Sequence, residues 1–113
     1  YEEYMLEDAQ YAFITFGGMA RSVKEAIRTL RKEGIRIGAF IPKTVWPFPE
    51  KQINKLVSDM DGVFVAEMNL GQMILEVQRA SQERNKIHAI NKANGEVITP
   101  EEIIKSFMEV HNA

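Results

Sequence analysis

The side chains best suited to chemistry in this sequence follow its most apolar stretch. Val63-Phe64-Val65-Ala66 runs without a break into Glu67-Met68-Asn69-Leu70-Gly71-Gln72, so Glu67, Asn69 and Gln72 come directly after four apolar residues. A run of this kind, too short for a helix, predicts a strand buried on both faces, as in parallel sheets. The polar trio would then emerge at the strand's carboxyl end, where open α/β sheets place their working surface. Glu67 could act as a general acid or base. The sequence offers it no obvious nucleophile or metal partner, and an ion pair or helix cap is the simpler role. Asn69 and Gln72 could equally satisfy backbone amides.

A second candidate is Gly17-Gly18-Met19-Ala20-Arg21. At a strand-to-helix turn these residues could hold an anion on free backbone amides. The spacing is not that of a dinucleotide fingerprint, and the lysine and hydroxyl of a P-loop are missing, so a tight turn is the plainer reading. Arg21 stands where a helix dipole opposes a cation, and Glu67 across a crevice would be a suitable partner. Lys43 and Thr44 offer either a phosphate contact or a solvated loop. Trp46 and Phe48, braced by Pro47 and Pro49, either fold down as a lid over the sheet edge or anchor another domain. His88 and His111 have no complementary ligand at metal spacing, so surface or strand-face positions are expected.

Alternating strands and helices must position these groups. Ala12-Phe13-Ile14-Thr15-Phe16 is rich in β-branched and aromatic residues and predicts the first strand, stopped by Gly17-Gly18. Ser22 and Glu25 have capping-box spacing, and Val23, Ala26, Ile27 and Leu30 follow on one helical face up to Gly34, a natural C-terminal cap. Ile35 to Ile41 predicts a second strand, with Gly38 marking a close backbone approach and Pro42 its end. Pro49 suits the first position of a helix whose inward face is Ile53, Leu56, Val57 and Met60. Beyond the Val63-Ala66 strand, Leu70, Met73, Ile74 and Val77 form the stripe of a third helix, with Asn69 and Gln72 as a capping pair. Lys86 to Ile90 predicts a fourth, more peripheral strand, and Asn94-Gly95 a turn. Thr99-Pro100-Glu101-Glu102 starts a last helix carrying Ile103, Ile104, Phe107 and Met108.

This alternation predicts an α/β fold, a parallel sheet with helices on both faces and right-handed connections. Placing the first strand between the second and third, in the order 2-1-3-4, sets the Gly17-Gly18 turn beside the Glu67–Gly71 turn at the switch point.

With 113 residues the chain has the size of one domain. The charged, amphipathic segment 1–10 reads as a lead-in from a preceding domain, hence part of a longer polypeptide, and 11–113 as a single α/β domain. The absence of cysteine removes disulfides, thiol catalysis and thiolate metal sites, and fits a cytoplasmic protein. A net charge of −2 with dispersed lysines and arginines argues against nucleic-acid binding. No apolar run reaches bilayer-spanning length, so no membrane is expected as partner. Two function classes stay open: a domain of a larger enzyme, or a stand-alone module holding an anionic ligand at the switch-point crevice through Gly17, Gly18 and Arg21.

Together, Thr15-Phe16-Gly17-Gly18-Met19-Ala20-Arg21, Pro42-Lys43-Thr44-Val45-Trp46-Pro47-Phe48-Pro49 and Ala66-Glu67-Met68-Asn69-Leu70-Gly71-Gln72 resemble the C-terminal region of the α subunit of 2-oxoacid:ferredoxin oxidoreductases, the 2-oxoglutarate type in particular. The resemblance covers nearly the whole chain in the right order. It implies a domain like the C-terminal domain of transketolase, a three-layer α/β/α sandwich with one strand antiparallel to the others, here expected around Glu96 to Ile98. It further implies a complex that decarboxylates a 2-oxoacid on thiamine diphosphate with magnesium, passes electrons through iron–sulfur clusters to ferredoxin and releases an acyl-coenzyme A. This domain would contribute no catalytic, cofactor-binding or metal residue of its own. Its implied role is assembly against the thiamine-binding domains and neighbouring subunits, with Gly17, Gly18, Arg21, Trp46, Phe48, Glu67, Asn69 and Gln72 as interface or crevice residues.

Overall fold

A computed structural model of the chain describes residues 1–43, 48–67, 72–90 and 98–112. Among them the strands are β1 (Glu2–Tyr4), β2 (Tyr11–Thr15), β3 (Ile37–Ile41), β4 (Gly62–Ala66) and β5 (Ile87–Ile90), and the α-helices are α1 (Ala20–Lys32), α2 (Glu50–Asp59), α3 (Gln72–Ala80) and α4 (Pro100–His111). They form one mixed sheet in the order β1-β3-β2-β4-β5. The pairs β2–β3, β2–β4 and β4–β5 are parallel, and β1 runs antiparallel to β3. The four parallel strands therefore take the expected order, and the whole is an α/β/α sandwich with a mostly parallel sheet.

Strand alternation sorts the core into two layers. Phe13, Ala39, Phe64 and Ile90 face one way and pack with Val23, Ile27 and Leu30 of α1 and with Ile103 and Phe107 of α4. Ala12, Ile14, Phe40, Val63, Val65 and Ile87 face the other way, onto Ile53, Leu56 and Val57 of α2 and Met73 and Val77 of α3. β4 is buried along its whole length, which explains its unbroken apolar sequence. It is an inner strand, while the middle of the sheet belongs to β2.

The antiparallel strand among the described residues comes from another segment than the one expected. It is β1, from the segment set aside above as a lead-in, whereas residues 91–97 lie outside the described residues and Ile98 is a buried core residue. Three residues beginning Glu-Glu carry too little apolar pattern to signal a strand, which is how short edge strands often look. The close approach expected at Gly38 is made by this strand: a Cβ at Gly38 would stand 2.5 Å from the Met5 carbonyl oxygen and 2.6 Å from that of Tyr4.

The helix ends mix confirmed and corrected expectations. A 3₁₀ turn (Gly17–Met19) leads into α1 at Ala20, so Ser22 and Glu25 lie within the helix and form no capping box; Met19 is the cap residue and makes no side-chain cap bond. At its other end Gly34 has φ +87°, with Gly34 N–H donating to Arg31 O and Ile35 N–H to Leu30 O, a Schellman closure. Thr99 and Glu102 form the expected reciprocal capping box on α4. Lys86 lies in a 3₁₀ turn (Arg84–Lys86) just before β5, and its ammonium donates to the carbonyls of Val57 and Ser58 at the end of α2. That placement suits the negative end of the helix dipole.

Candidate functional site

The connections after β2 and β4 leave neighbouring strands for opposite faces of the sheet, one to α1 and the other to α3, which makes this the switch point. The two strand ends are tied together. Thr15, fully buried and in register with Ala66, donates its hydroxyl to the Ala66 carbonyl at 3.1 Å. This cross-strand bond satisfies a buried hydroxyl and pins the edge from which both turns depart. Its only sequence signal was a threonine closing an apolar strand.

Glu67 is the best-defined polar group of the site. Only 2% exposed, it accepts the Met73 N–H at 3.1 Å on Oε1 and the Ile74 N–H at 2.9 Å on Oε2. Its own N–H donates to the Ile90 carbonyl at 3.1 Å. The carboxylate therefore caps the N-terminus of α3, where unpaired N–H groups and the helix dipole both favour negative charge. Of the roles considered for Glu67, the structure assigns the helix cap. The ion pair expected with Arg21 is not formed: Arg21 is exposed, and both Glu67 oxygens face backbone amides.

The remaining candidates divide by place. Gly18 is exposed in the turn before α1, in whose first turn no acidic residue stands. Phe48 is half-buried and packs against the core layer beneath α2 and α3, so its ring turns onto the domain. Trp46 and Asn69 lie outside the described residues, as does the side chain of Gln72, whose backbone opens α3. The structure does not bring the histidines to this edge. His88 stacks on Phe64 at 5.1 Å, and half-burial pushes its imidazole below the ordinary value of 6.5. His111 stacks on Phe107 and meets Tyr11 edge-on, at the opposite end of β2.

Among the described residues this edge carries one buried carboxylate, that of Glu67. Its carboxylate is spent on α3, and no group of three metal-ligating side chains occurs among the described residues. The donor set does not suit an iron–sulfur cluster, since the sequence has no cysteine thiolate. Glu67 already occupies the N-terminus of α3, so an anion held at the crevice would have to use that of α1.

Comparison with known proteins extends this picture. Residues 9–103 match the family described as pyruvate:ferredoxin oxidoreductase core domain II. The 2-oxoglutarate synthase subunit KorA of Methanothermobacter thermautotrophicus is 36% identical over 110 residues, covering 97% of this chain and 29% of that protein. The chain thus spans less than a third of the length of that curated relative. Among solved structures, the 2-oxoglutarate:ferredoxin oxidoreductase of Magnetococcus marinus, with 2-oxoglutarate, coenzyme A and succinyl-CoA bound, superposes with a TM-score of 0.84 at 27% identity, covering 96% of this chain and 19% of that one. A split-gene transketolase in an inactive tetrameric form shares the fold, with a TM-score of 0.72 at 18% identity over 96% of this chain and 40% of that one.

Proposed function

The chain belongs to the pyruvate:ferredoxin oxidoreductase core domain II family, and on that premise we propose that it is the assembly domain of an α subunit in a 2-oxoacid:ferredoxin oxidoreductase of the 2-oxoglutarate type. The complex would oxidatively decarboxylate the 2-oxoacid to carbon dioxide and an acyl-coenzyme A, with reduction of ferredoxin. The observation that carries this reading is the relation to the 2-oxoglutarate enzymes, which extends over almost the whole chain.

Within that complex, thiamine diphosphate, magnesium and the iron–sulfur clusters belong to other domains and subunits, in keeping with a chain that has no cysteine and whose edge carboxylate is committed to α3. This domain supplies a fixed wall. Segment 1–10 leads in from a preceding domain, and Gly17, Gly18, Arg21, Trp46, Phe48, Asn69 and Gln72 are assigned to the interface with the thiamine-binding domains and neighbouring subunits. Glu67 shapes that edge from inside by holding the start of α3 in place. We place the complex in the cytoplasm; no helix among the described residues is long and apolar enough to cross a membrane.

The test has two arms. The complex containing this chain should oxidise 2-oxoglutarate in preference to branched-chain 2-oxoacids, with ferredoxin as acceptor, and the reverse preference would overturn the substrate assignment. The isolated chain should neither bind thiamine diphosphate in calorimetry nor oxidise 2-oxoglutarate, and tight binding would overturn the assembly role. Trp46, the single tryptophan, reports the interface: its emission should shift to the blue and lose access to an aqueous quencher when the complex assembles.

A further inference from the structure

β1 is attached to the domain differently from the other strands. None of residues 1–10 is fully buried, whereas β3 and β4 are buried throughout. Besides its backbone pairing with β3 and the half-buried Tyr4 and Leu6, which rest on the two core layers, the segment is held by contacts at its periphery. Lys24 Nζ reaches Glu2 at 2.7 Å, the Tyr1 ring lies 4.8 Å from that of Phe40, and Arg28 donates to the Tyr4 hydroxyl at 3.4 Å. Arg31 grips it most firmly, donating to the Met5 carbonyl at 2.7 Å and to both oxygens of Asp8 at 2.8 and 3.2 Å.

Three further observations set this segment apart. Two concavities adjoin it, about 270 Å³ between Leu6, Phe40, Leu56 and Met60, and about 430 Å³ between Met5, Leu6, Asp8 and Arg31. Met5 sits at φ 56°, the left-handed conformation that a non-glycine side chain disfavours, and among the described residues no other non-glycine residue has a positive φ. Gly38 has no need of glycine's conformational freedom. What forbids a side chain there is the pair of carbonyl oxygens of Tyr4 and Met5.

We propose that residues 1–8 are a releasable strap, which lifts from the outer edge of β3 as a unit while the four parallel strands and their helices stay folded. Release frees no fully buried residue of the segment, relaxes the backbone at Met5 and leaves α1 and α2 packed on β3, at the cost of uncovering part of Phe40, on which Tyr1 rests. It uncovers the backbone donors and acceptors of Ala39 to Ile41, which β1 otherwise occupies in register. An uncovered strand edge of that kind can pair with another extended segment. Local openings of weakly packed elements below the global unfolding free energy are the general form of such behaviour.

Amide hydrogen exchange in the 113-residue chain, followed across sub-denaturing urea, tests the strap. The β1 amides bonded to β3 should be protected at least about tenfold less than those of β2 and β4 and should show almost no urea dependence. Shared protection and a shared urea slope would overturn the proposal. Gly38→Ala should abolish β1 protection and leave β2 and β4 within about twofold of the parent; loss of protection throughout, failure to fold, or an undisturbed β1 would each count against it. Met5→Gly relieves the left-handed residue and should slow exchange of β1 by about threefold, with faster or unchanged exchange telling against the strap.

Discussion

Two carboxylates in this chain each collect a pair of N–H groups, under opposite conditions. Glu67 is 2% exposed and receives backbone amides at 3.1 and 2.9 Å, while the side chain of Asp8 is 57% exposed and receives the two arms of the Arg31 guanidinium at 3.2 and 2.8 Å. On geometry and formal charge the Asp8 pair looks the stronger. Water reverses that order, because it screens the exposed pair and competes for its hydrogen bonds, whereas Glu67 accepts its two amides from a buried position. The two regions differ accordingly, with a start of α3 fixed at the switch point and a strap at the far edge held by contacts that water can replace.

Removing Glu67 is the most severe way to test this contrast. Glu67→Ala removes the buried carboxylate that accepts two amides of α3 and should lower unfolding free energy by about 3 kcal/mol in urea titrations. Glu67→Gln, which keeps one acceptor oxygen but turns a donor towards the helix, should cost about half as much. If Glu67→Ala proved as mild as a surface substitution, burial would not be what separates the two carboxylates.

Arg31 is intermediate. Its side chain is 18% exposed, and its Nε–H donates to the Ile37 carbonyl at 2.8 Å in addition to the strap contacts. Arg31→Ala should therefore cost about 1–2 kcal/mol, divided between the start of β3 and the strap. Arg31→Lys keeps the charge but not the planar fork, and should recover less than half of that loss. Full recovery by lysine would mean that charge alone holds the segment.

How far this contrast could be read from the sequence depends on the distance to the partner. The capping box of α4 and the closure at Gly34 were legible because their partners lie within a few residues, where spacing is a reliable guide. The order of the four parallel strands followed from alternation and the need to cover both faces. Glu67 stood out as a carboxylate at a strand end, but its partners depend on where the backbone of α3 begins, which side-chain type does not reveal. Arg31 is a cation in the last turn of α1, and its acceptors at Met5 and Asp8 lie more than twenty residues earlier, beyond the reach of any local spacing. β1 was illegible because an edge strand with charged residues has no apolar alternation to display.

His88 supplies a titration between the two extremes. It is half-buried on Phe64, and desolvation holds its imidazole below 6.5 in the folded chain. The unfolded chain then binds the extra proton first, so this contribution is complete above about pH 6.5, is lost as pH falls through that value, and levels off below the lowered folded pKa. Because much of the ring remains in water, the loss between about pH 8 and about pH 5 should stay well below 1 kcal/mol. Comparing urea midpoints of the parent and His88→Phe at the two pH values isolates it. A contribution that grew as pH fell would reverse the assigned sign.

The smallest effect on global stability belongs to Asp8, and it separates the two regions most clearly. The hydrogen bond from the Arg31 side chain, together with its charge, holds the Asp8 carboxyl below its ordinary value of 3.8. A depressed carboxylate stabilises the folded chain above the unfolded pKa and loses that contribution as pH falls through the folded one, so the Asp8 term is complete at neutral pH and disappears only below 3.8. Asp8→Asn at neutral pH should leave the urea midpoint unresolved from the parent, because the pair is exposed and screened. The same substitution should still speed exchange of the β1 amides, since it loosens one of the Arg31 contacts holding the strap while those of β2 and β4 are untouched. A shift in the global midpoint would mean that the strap and the core unfold together, and the distinction between a fixed edge and a releasable one would fail.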